Sequence, residues 1–317
     1  MCTEMRIIVK IIKDITEIEK LHMENTAVAL GKFDGVHRGH RNIMEKLIRE
    51  KTKGYTSLVF TFSRNPKTTH KNISEEKIFT EKEQMLVYEK TGIDIIIVYP
   101  INSGILNMSA EAFVKNILVD RLGVKKIICG ENFRFGKDRL GDTDTLKRSG
   151  ERYGFETEIV DMLSENGKII SSTVIRELIK EGKLEEAEKM LGHRFTIAGR
   201  VVYGNQIGRT LNTPTANIIP EKEKIIPPYG VYVSLCNIEG KYYRGVTNIG
   251  YKPTINEKEK QLGVETHFLD YSGNLYGKII EIELVKHTRP EMKFDSTDDL
   301  KKQLIRDKEN CRNVIIE

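Results

Sequence analysis

From about residue 27 to residue 160, short apolar runs alternate with helical patterns. TAVALG, SLVFTF, DIIIVY, KKIICG and FETEIV are the strand candidates. Between them, a capping box from Thr80 to Glu83 predicts a helix that closes near Gly92. A second helix starts at Ser109, places Phe113, Ile117, Leu118 and Leu122 on one face and ends at Gly123. Repeated βα units predict a mostly parallel sheet covered by helices. A charged amphipathic stretch follows, from Arg176 to Leu191, and then the texture changes. From Phe195 to His287 come FTIAGRVVYG, GVYVSLCNI, KYYRGVTNIG and KIIEIELV, with hairpin signals at NIEG and YSGN, so this half reads as antiparallel β. A last amphipathic helix is predicted near Ser296, carrying Leu300, Leu304 and Ile305. The pattern is α/β plus all-β, with domains at 1–184 and 185–317.

Composition narrows the class. A chain of 317 residues exceeds what one core usually serves. Its 39% hydrophobic and 31% charged residues exclude a disordered or low-complexity protein. The longest uninterrupted apolar run, Ile95 to Tyr99, is far short of the roughly 20 residues of a spanning helix, and MCTEMRIIVK has no signal-peptide pattern, so no membrane partner is expected. Fifty-one basic against 46 acidic residues leave +5, with the signs interleaved rather than striped, so no nucleic acid partner is expected either. Cys2, Cys129, Cys236 and Cys311 form no CxxC pair, which points to a reducing cytoplasm.

The first chemistry lies in GKFDGVHRGH at 31–40. Gly31, Gly35 and Gly39 fall where a strand turns into a helix, so backbone passes close to something. Amide N–H groups at a helix start, with the helix dipole, favour a phosphate, and His37 and His40 at spacing three project beside it. Such donors stabilise charge on an attacked phosphate. No Walker sequence and no G-x-G-x-x-G occurs.

GKFDGVHRGH resembles the signature of the HxGH nucleotidyltransferases, and its FDG spelling resembles the branch that adenylylates FMN. GENFRFG at 130–136, followed by GKDRLGD, is similar to that family's flavin- and nucleotide-facing segment, and ISSTVIR at 170–176 resembles its second phosphate-binding motif. The resemblance implies nucleotide contacts at Gly31, Phe33, Asp34, Gly35, Gly39, Ser172 and Thr173, and flavin contacts at Asn132 and Phe133. His37, His40 and Arg176 would clamp ATP for attack on its α-phosphate by FMN. Ser172 and Thr173 are also expected to cap a helix, with Arg176 one turn in.

In the β half, Thr215 and Asn217 are oxygen donors two apart on one extended face, a set that suits Mg²⁺ alongside phosphates and water. GRTLNTPTANI, GVYV, GVTNIGYKPTI, VETHFLD, NLYGK and HTRPEMKFDS resemble, in order, the motifs of riboflavin kinase. By that resemblance Glu265 is the catalytic base, Gly208 and Arg209 join Thr215 and Asn217 at the nucleotide, and Arg289 helps close over the flavin. Two departures stand out: Asn212-Thr213 replaces a Gly-Phe pair, and Phe62-Ser63-Arg64-Asn65-Pro66 replaces Phe-Asp-Pro-His-Pro.

Together the resemblances cover nearly the whole chain in the order of the bacterial bifunctional riboflavin kinase/FAD synthetase family. They imply a Rossmann-like domain followed by an antiparallel β-barrel with a terminal helix, acting on riboflavin, FMN and ATP with Mg²⁺ and yielding FAD. An HxGH enzyme for another phosphorylated acceptor, or a flavin-binding regulator without catalysis, stay open as alternatives, and so does the oligomeric state.

Overall fold

The computed structural model describes residues 9–63, 76–204, 214–252 and 261–316. The chain forms two compact units, Met1–Glu75 with Phe79–Ser172 and Glu76–Ile78 with Thr173–Glu317.

In the first unit, β1 (Lys10–Ile12), β2 (Thr26–Leu30), β3 (Thr56–Ser63), β4 (Ile95–Pro100), β5 (Val124–Gly130) and β6 (Glu156–Val160) form one sheet in the order β1-β4-β3-β2-β5-β6. Every pairing is parallel. The helices are α1 (Ile15–Glu19), α2 (Arg38–Glu50), α3 (Glu81–Tyr88), α4 (Ser103–Asn107), α5 (Ala110–Ala112) and α6 (Thr143–Tyr153). The single helix expected from Ser109 is instead α5 continuing into a π-helical stretch, Phe113–Val119. All five residues of β2 are buried. Ala27 and Ala29 pack with Ile43, Met44 and Leu47 of α2, while Val28 and Leu30 pack with Phe113, Val114 and Ile117. Burial on both faces is why this strand reads as a continuous apolar run instead of alternating. A hairpin, β7 (Ser164–Glu165) with β8 (Lys168–Ile169), precedes the divide.

The sheet order reverses between β2 and β5: β3 and β4 extend it to one side, β6 to the other. At such a switch point the carboxyl ends of the two strands leave a crevice in which ligands bind. GKFDGVHRGH leaves the end of β2 and GENFRFG the end of β5, so both motifs arise at that position.

Helix α7 (Ser172–Lys180) straddles the divide, and α8 (Leu184–Leu191), β9 (Phe195–Arg200), β10 (Ala216–Ile218), β11 (Gly230–Ile238), β12 (Lys241–Lys252), β13 (Gln261–Phe268), β14 (Ile279–Arg289) and the terminal helix α9 (Thr297–Asn313) complete the second unit. The strands form an antiparallel sheet in the order β10-β13-β12-β11-β14-β9. Its two edges approach each other through a Val202–Asn217 bridge. Helix α8 packs on β9 and β14, and the compact unit takes in the chain from Thr173, ahead of the 184/185 boundary that the texture suggests. Residues 76–78 join this unit because the buried Lys224 ammonium donates to the carbonyls of Ile78 at 2.7 Å and Thr196 at 2.5 Å.

NIEG is a tight turn: Glu239 and Gly240 take positive φ and Asn237 Oδ1 accepts from the Gly240 amide at 2.9 Å. YSGN is not, since residues 269–278 form a longer connection between β13 and β14. Helix α9 starts near Ser296 as expected, with Ser296 as its N-cap. Leu300 and Leu304 face inward to a cleft, but Ile305 is exposed, which corrects its place in the apolar stripe. Among the described residues no helix is long and apolar enough to cross a membrane.

Candidate functional site

The end of β2 feeds a tight turn. Phe33, Gly35 and Val36 have φ of 52°, 76° and 40°. For a β-branched residue such a φ costs on the order of 1–3 kcal/mol and persists only when the surroundings enforce it. Here they do. The Phe33 ring is fully buried, and a Cβ on Gly31 would lie 2.8 Å from it, so only glycine lets the ring fold back under the turn. Gln84 Nε2 donates to the carbonyls of Lys32 and Phe33 at 3.2 and 3.1 Å, Ser172 Oγ donates to the Asp34 carbonyl at 3.0 Å, and Asp34 Oδ1 accepts from the Phe79 amide at 3.1 Å. Phe33, Asp34 and Ser172 therefore shape the turn.

His37 is buried at the N-cap of α2, where its Nδ1 accepts from the His40 amide at 3.3 Å. In the neutral ring the proton then sits on Nε2. The two imidazoles stack with centroids 3.6 Å apart, and a Cβ on Gly39 would press on the His37 ring at 3.2 Å. Burial, and after it the neighbouring His37, hold the pKa of His40 well below the usual histidine value. Its Nδ1 is buried and has no hydrogen-bond partner among the described residues. The pair is a neutral donor set at a helix N-terminus, where amides and dipole favour an anion.

Beside it, Arg38 Nη1 meets Glu165 of the β7–β8 hairpin at 2.5 Å, a contact that the spacing of the motif does not disclose. Asn132 is exposed just past β5, and Phe133 stacks on Phe135 at 5.6 Å and packs on the core. Ser172 and Thr173 are the first two residues of α7, so the cap position falls to Ser171 rather than to either of them. Arg176, half-buried one turn on, belongs to the second unit.

In that unit, strand pairing sets Asn217 and Asn248 opposite Glu265 on its two sides, so one row crosses three strands. Asn217 is buried and its Nδ2 donates to the Thr215 carbonyl at 3.2 Å and Oγ1 at 3.3 Å, which fixes the PTAN segment. Two clefts meet at Thr215. One, about 500 Å³, is walled by Tyr203, Tyr271 and Tyr276, the rings of Tyr203 and Tyr276 stacking at 4.1 Å. The other, about 220 Å³, is lined by Asn248, Glu265, His267, Arg289 and Asp307. The structure thus brings Thr215, Asn217 and Glu265 together. Arg289 is committed elsewhere: Nε and Nη2 hold Asp307 of α9 at 3.0 and 2.7 Å, so it closes the smaller cleft by anchoring the helix. His267 Nδ1 bonds the Pro214 carbonyl at 2.9 Å; burial first, with Lys308 and Arg312, keeps its pKa below the usual value. Gly208 and Arg209, together with the departures at Asn212-Thr213 and Arg64-Asn65-Pro66, lie outside the described residues. Sequence reasoning missed Asn248, His267 and Asp307; the first two sit inside quoted motifs, but only the cross-strand register shows what they face.

Comparison with known proteins places each unit. A family model described as FAD synthetase matches residues 19–174 and one described as riboflavin kinase matches residues 191–315. The chain is 39% identical over 303 residues to the bifunctional riboflavin kinase/FMN adenylyltransferase of Buchnera aphidicola subsp. Schizaphis graminum, covering 94% of this chain and 96% of that one. It is 35% identical over 306 residues to the protein of the same description from Escherichia coli K12, covering 96% and 97%. A solved structure described as a macrolide-efflux protein from Streptococcus pneumoniae superposes with a TM-score of 0.84 at 27% identity, covering 97% of this chain and 100% of that chain.

Proposed function

The chain belongs to the bifunctional riboflavin kinase/FMN adenylyltransferase family, and from that premise we propose how its residues divide two chemistries between two sites. It phosphorylates riboflavin with ATP to FMN and adenylylates FMN with ATP to FAD. The division of labour follows 1–184 and 185–317, a boundary that falls in the interval between the two matched spans.

In the β unit ATP occupies the larger cleft, and riboflavin enters the smaller one with its ribityl end toward Thr215. Glu265 takes the proton of the 5′-hydroxyl, that oxygen attacks the γ-phosphorus, the bond to the β-bridging oxygen breaks, and ADP leaves with the electron pair. Thr215 and Asn217 offer hard oxygens on one face, a donor set that fits Mg²⁺ held jointly with phosphates and water. Among the described residues no cluster of His, Cys, Asp and Glu builds an all-protein metal cage, in keeping with a cation that arrives with the nucleotide. When bound, Mg²⁺ supplies neutralisation of phosphate charge; orienting the hydroxyl and accepting its proton remain with Glu265.

In the α/β unit a phosphate oxygen of FMN, already anionic, attacks the α-phosphorus of ATP, and pyrophosphate leaves in line. No base is needed. His37, His40 and the amides of α2 hold the α-phosphate; Asn132 and Phe133 face the flavin. Neutral imidazole donors suit this role, since it calls for oriented N–H groups more than for charge. The enzyme works in the cytoplasm without a nucleic-acid or membrane partner, a reading supported by interleaved surface charge and by three buried, unpaired thiols at Cys129, Cys236 and Cys311.

The observation that carries this assignment is a positive-φ turn with His37 and His40 stacked at a helix N-terminus in one compact unit, and a Thr215–Glu265 cleft junction in the other. Purified chain incubated with riboflavin, ATP and Mg²⁺ should yield FMN and then FAD on chromatography. Formation of neither overturns the assignment.

A further inference from the structure

We propose that His267 is a positioning residue for phosphoryl transfer, holding Thr215 in place at the junction of the two clefts through its bond to the Pro214 carbonyl. The inference rests on the kinase assignment above and goes beyond it.

The β10–β13 ladder runs Ile218↔Val264, Asn217↔Glu265, Ala216↔Thr266 and stops there. The next residues toward the N-terminus are Thr215 and Pro214, and proline has no N–H with which to continue a ladder. The Pro214 carbonyl still needs a donor, and His267 supplies it with Nδ1 at 2.9 Å, adding one side-chain rung past the last backbone pair. A carbonyl only accepts, so the ring proton sits on Nδ1 and the tautomer is set. From the other side, Asn217 Nδ2 holds the carbonyl and Oγ1 of Thr215 at 3.2 and 3.3 Å. Thr215 is thereby gripped at both ends, and it alone of the PTAN residues lines both clefts. His267 lies two residues from Glu265 on the same strand face and lines the same cleft, so one strand carries the base and the part that places the base's partner. An ordinary strand-end hydrogen bond would contribute about 1 kcal/mol to stability and leave chemistry untouched. Here the held atom is next to the residue where donor and acceptor substrates meet, and a displacement on the order of 1 Å there costs up to 10²-fold in rate.

Full-length chain separates these outcomes. His267→Leu removes the donor; His267→Asn keeps an N–H where Nδ1 stood. With riboflavin, ATP and Mg²⁺, kcat for FMN formation should fall roughly 10- to 100-fold in His267→Leu and recover to within several-fold in His267→Asn. The rate of FAD formation from supplied FMN should stay at the parental value in both, and the melting temperature should fall by no more than the loss of one such hydrogen bond accounts for. Parental kcat in His267→Leu, or equal losses in the two variants, overturns the positioning role. If His267→Leu melts early, His267→Asn with its fold intact decides: near-parental kcat supports the role and a full loss overturns it. Failure of the parent chain to make FMN would refute the kinase assignment instead, a result distinct from all of these.

Discussion

His37 and His40 show how much one turn of backbone decides. Spacing three put both rings at a helix start, and that much was readable as text. Their environment was not: burial, and after it the neighbouring His37, lowers the pKa of His40, while His37 acts as N-cap with Nδ1 turned back to the His40 amide and the two rings stack at 3.6 Å. The pKa of His40 lies below its ordinary 6.5 in the folded protein, so below about pH 6.5 the unfolded chain binds more protons there than the folded one. Folding is penalised by this residue as the pH falls through the ordinary value, and the penalty is absent above it. His40→Asn removes the titrating ring. Thermal melts from about pH 7.5 down to about pH 5 should show the parent losing more stability than the variant. Parallel losses would show that the burial of His40 carries no such cost. Glu265 teaches the opposite lesson: alone in an alternating strand it reads as a solvated carboxylate, and only pairing with Asn217 and Asn248 reveals a cleft wall.

Among the elements, the five strand candidates of the first half all form; β2, β3, β4 and β5 carry buried apolar runs, while the edge strand β6 buries only Val160 fully. β1 escaped notice because it is three residues at a sheet edge with one buried side chain. The π-helical stretch 113–119 escaped too: its apolar residues satisfy a helical face whichever hydrogen-bond spacing is used. α9 was legible from its amphipathic pattern near Ser296, but what fastens it was not. Arg289 and Asp307 are 18 residues apart on a strand and a helix, and their pairing exists only in three dimensions. Asp307 is nearly wholly buried and also accepts from Gln303 at 2.8 Å. Truncating one partner of such a pair strands the other charge, so Asp307→Ala should destabilise the second unit by about 3–5 kcal/mol and loosen the wall of the smaller cleft. Urea unfolding followed alongside FMN production checks this. An unchanged midpoint with parental kinase activity would contradict the anchoring role of the pair.

For the molecule as a whole, size and surface charge have separate causes. There are two compact units, and the proposed assignment gives each one phosphate chemistry, one at the switch point of a parallel sheet and one on an antiparallel sheet closed over by a helix. On the proposed assignment the +5 charge needs no role in recognising polyanions, because local motifs would hold the phosphates. The packing of residues 76–78 with the second unit through Lys224 was invisible in the sequence, where they read as part of the first half. If the sites are separate, each chemistry can be removed without the other. The most direct measurement is chromatographic resolution of riboflavin, FMN and FAD over time in parent, Glu265→Ala and His40→Ala chains, each supplied first with riboflavin and then with FMN. Glu265→Ala should lose FMN formation by about 10²-fold or more yet convert supplied FMN to FAD, while His40→Ala should accumulate FMN with FAD formation slowed by a similar factor. Loss of both activities from either single substitution, with the fold intact, or of neither activity from both, would contradict two independent sites.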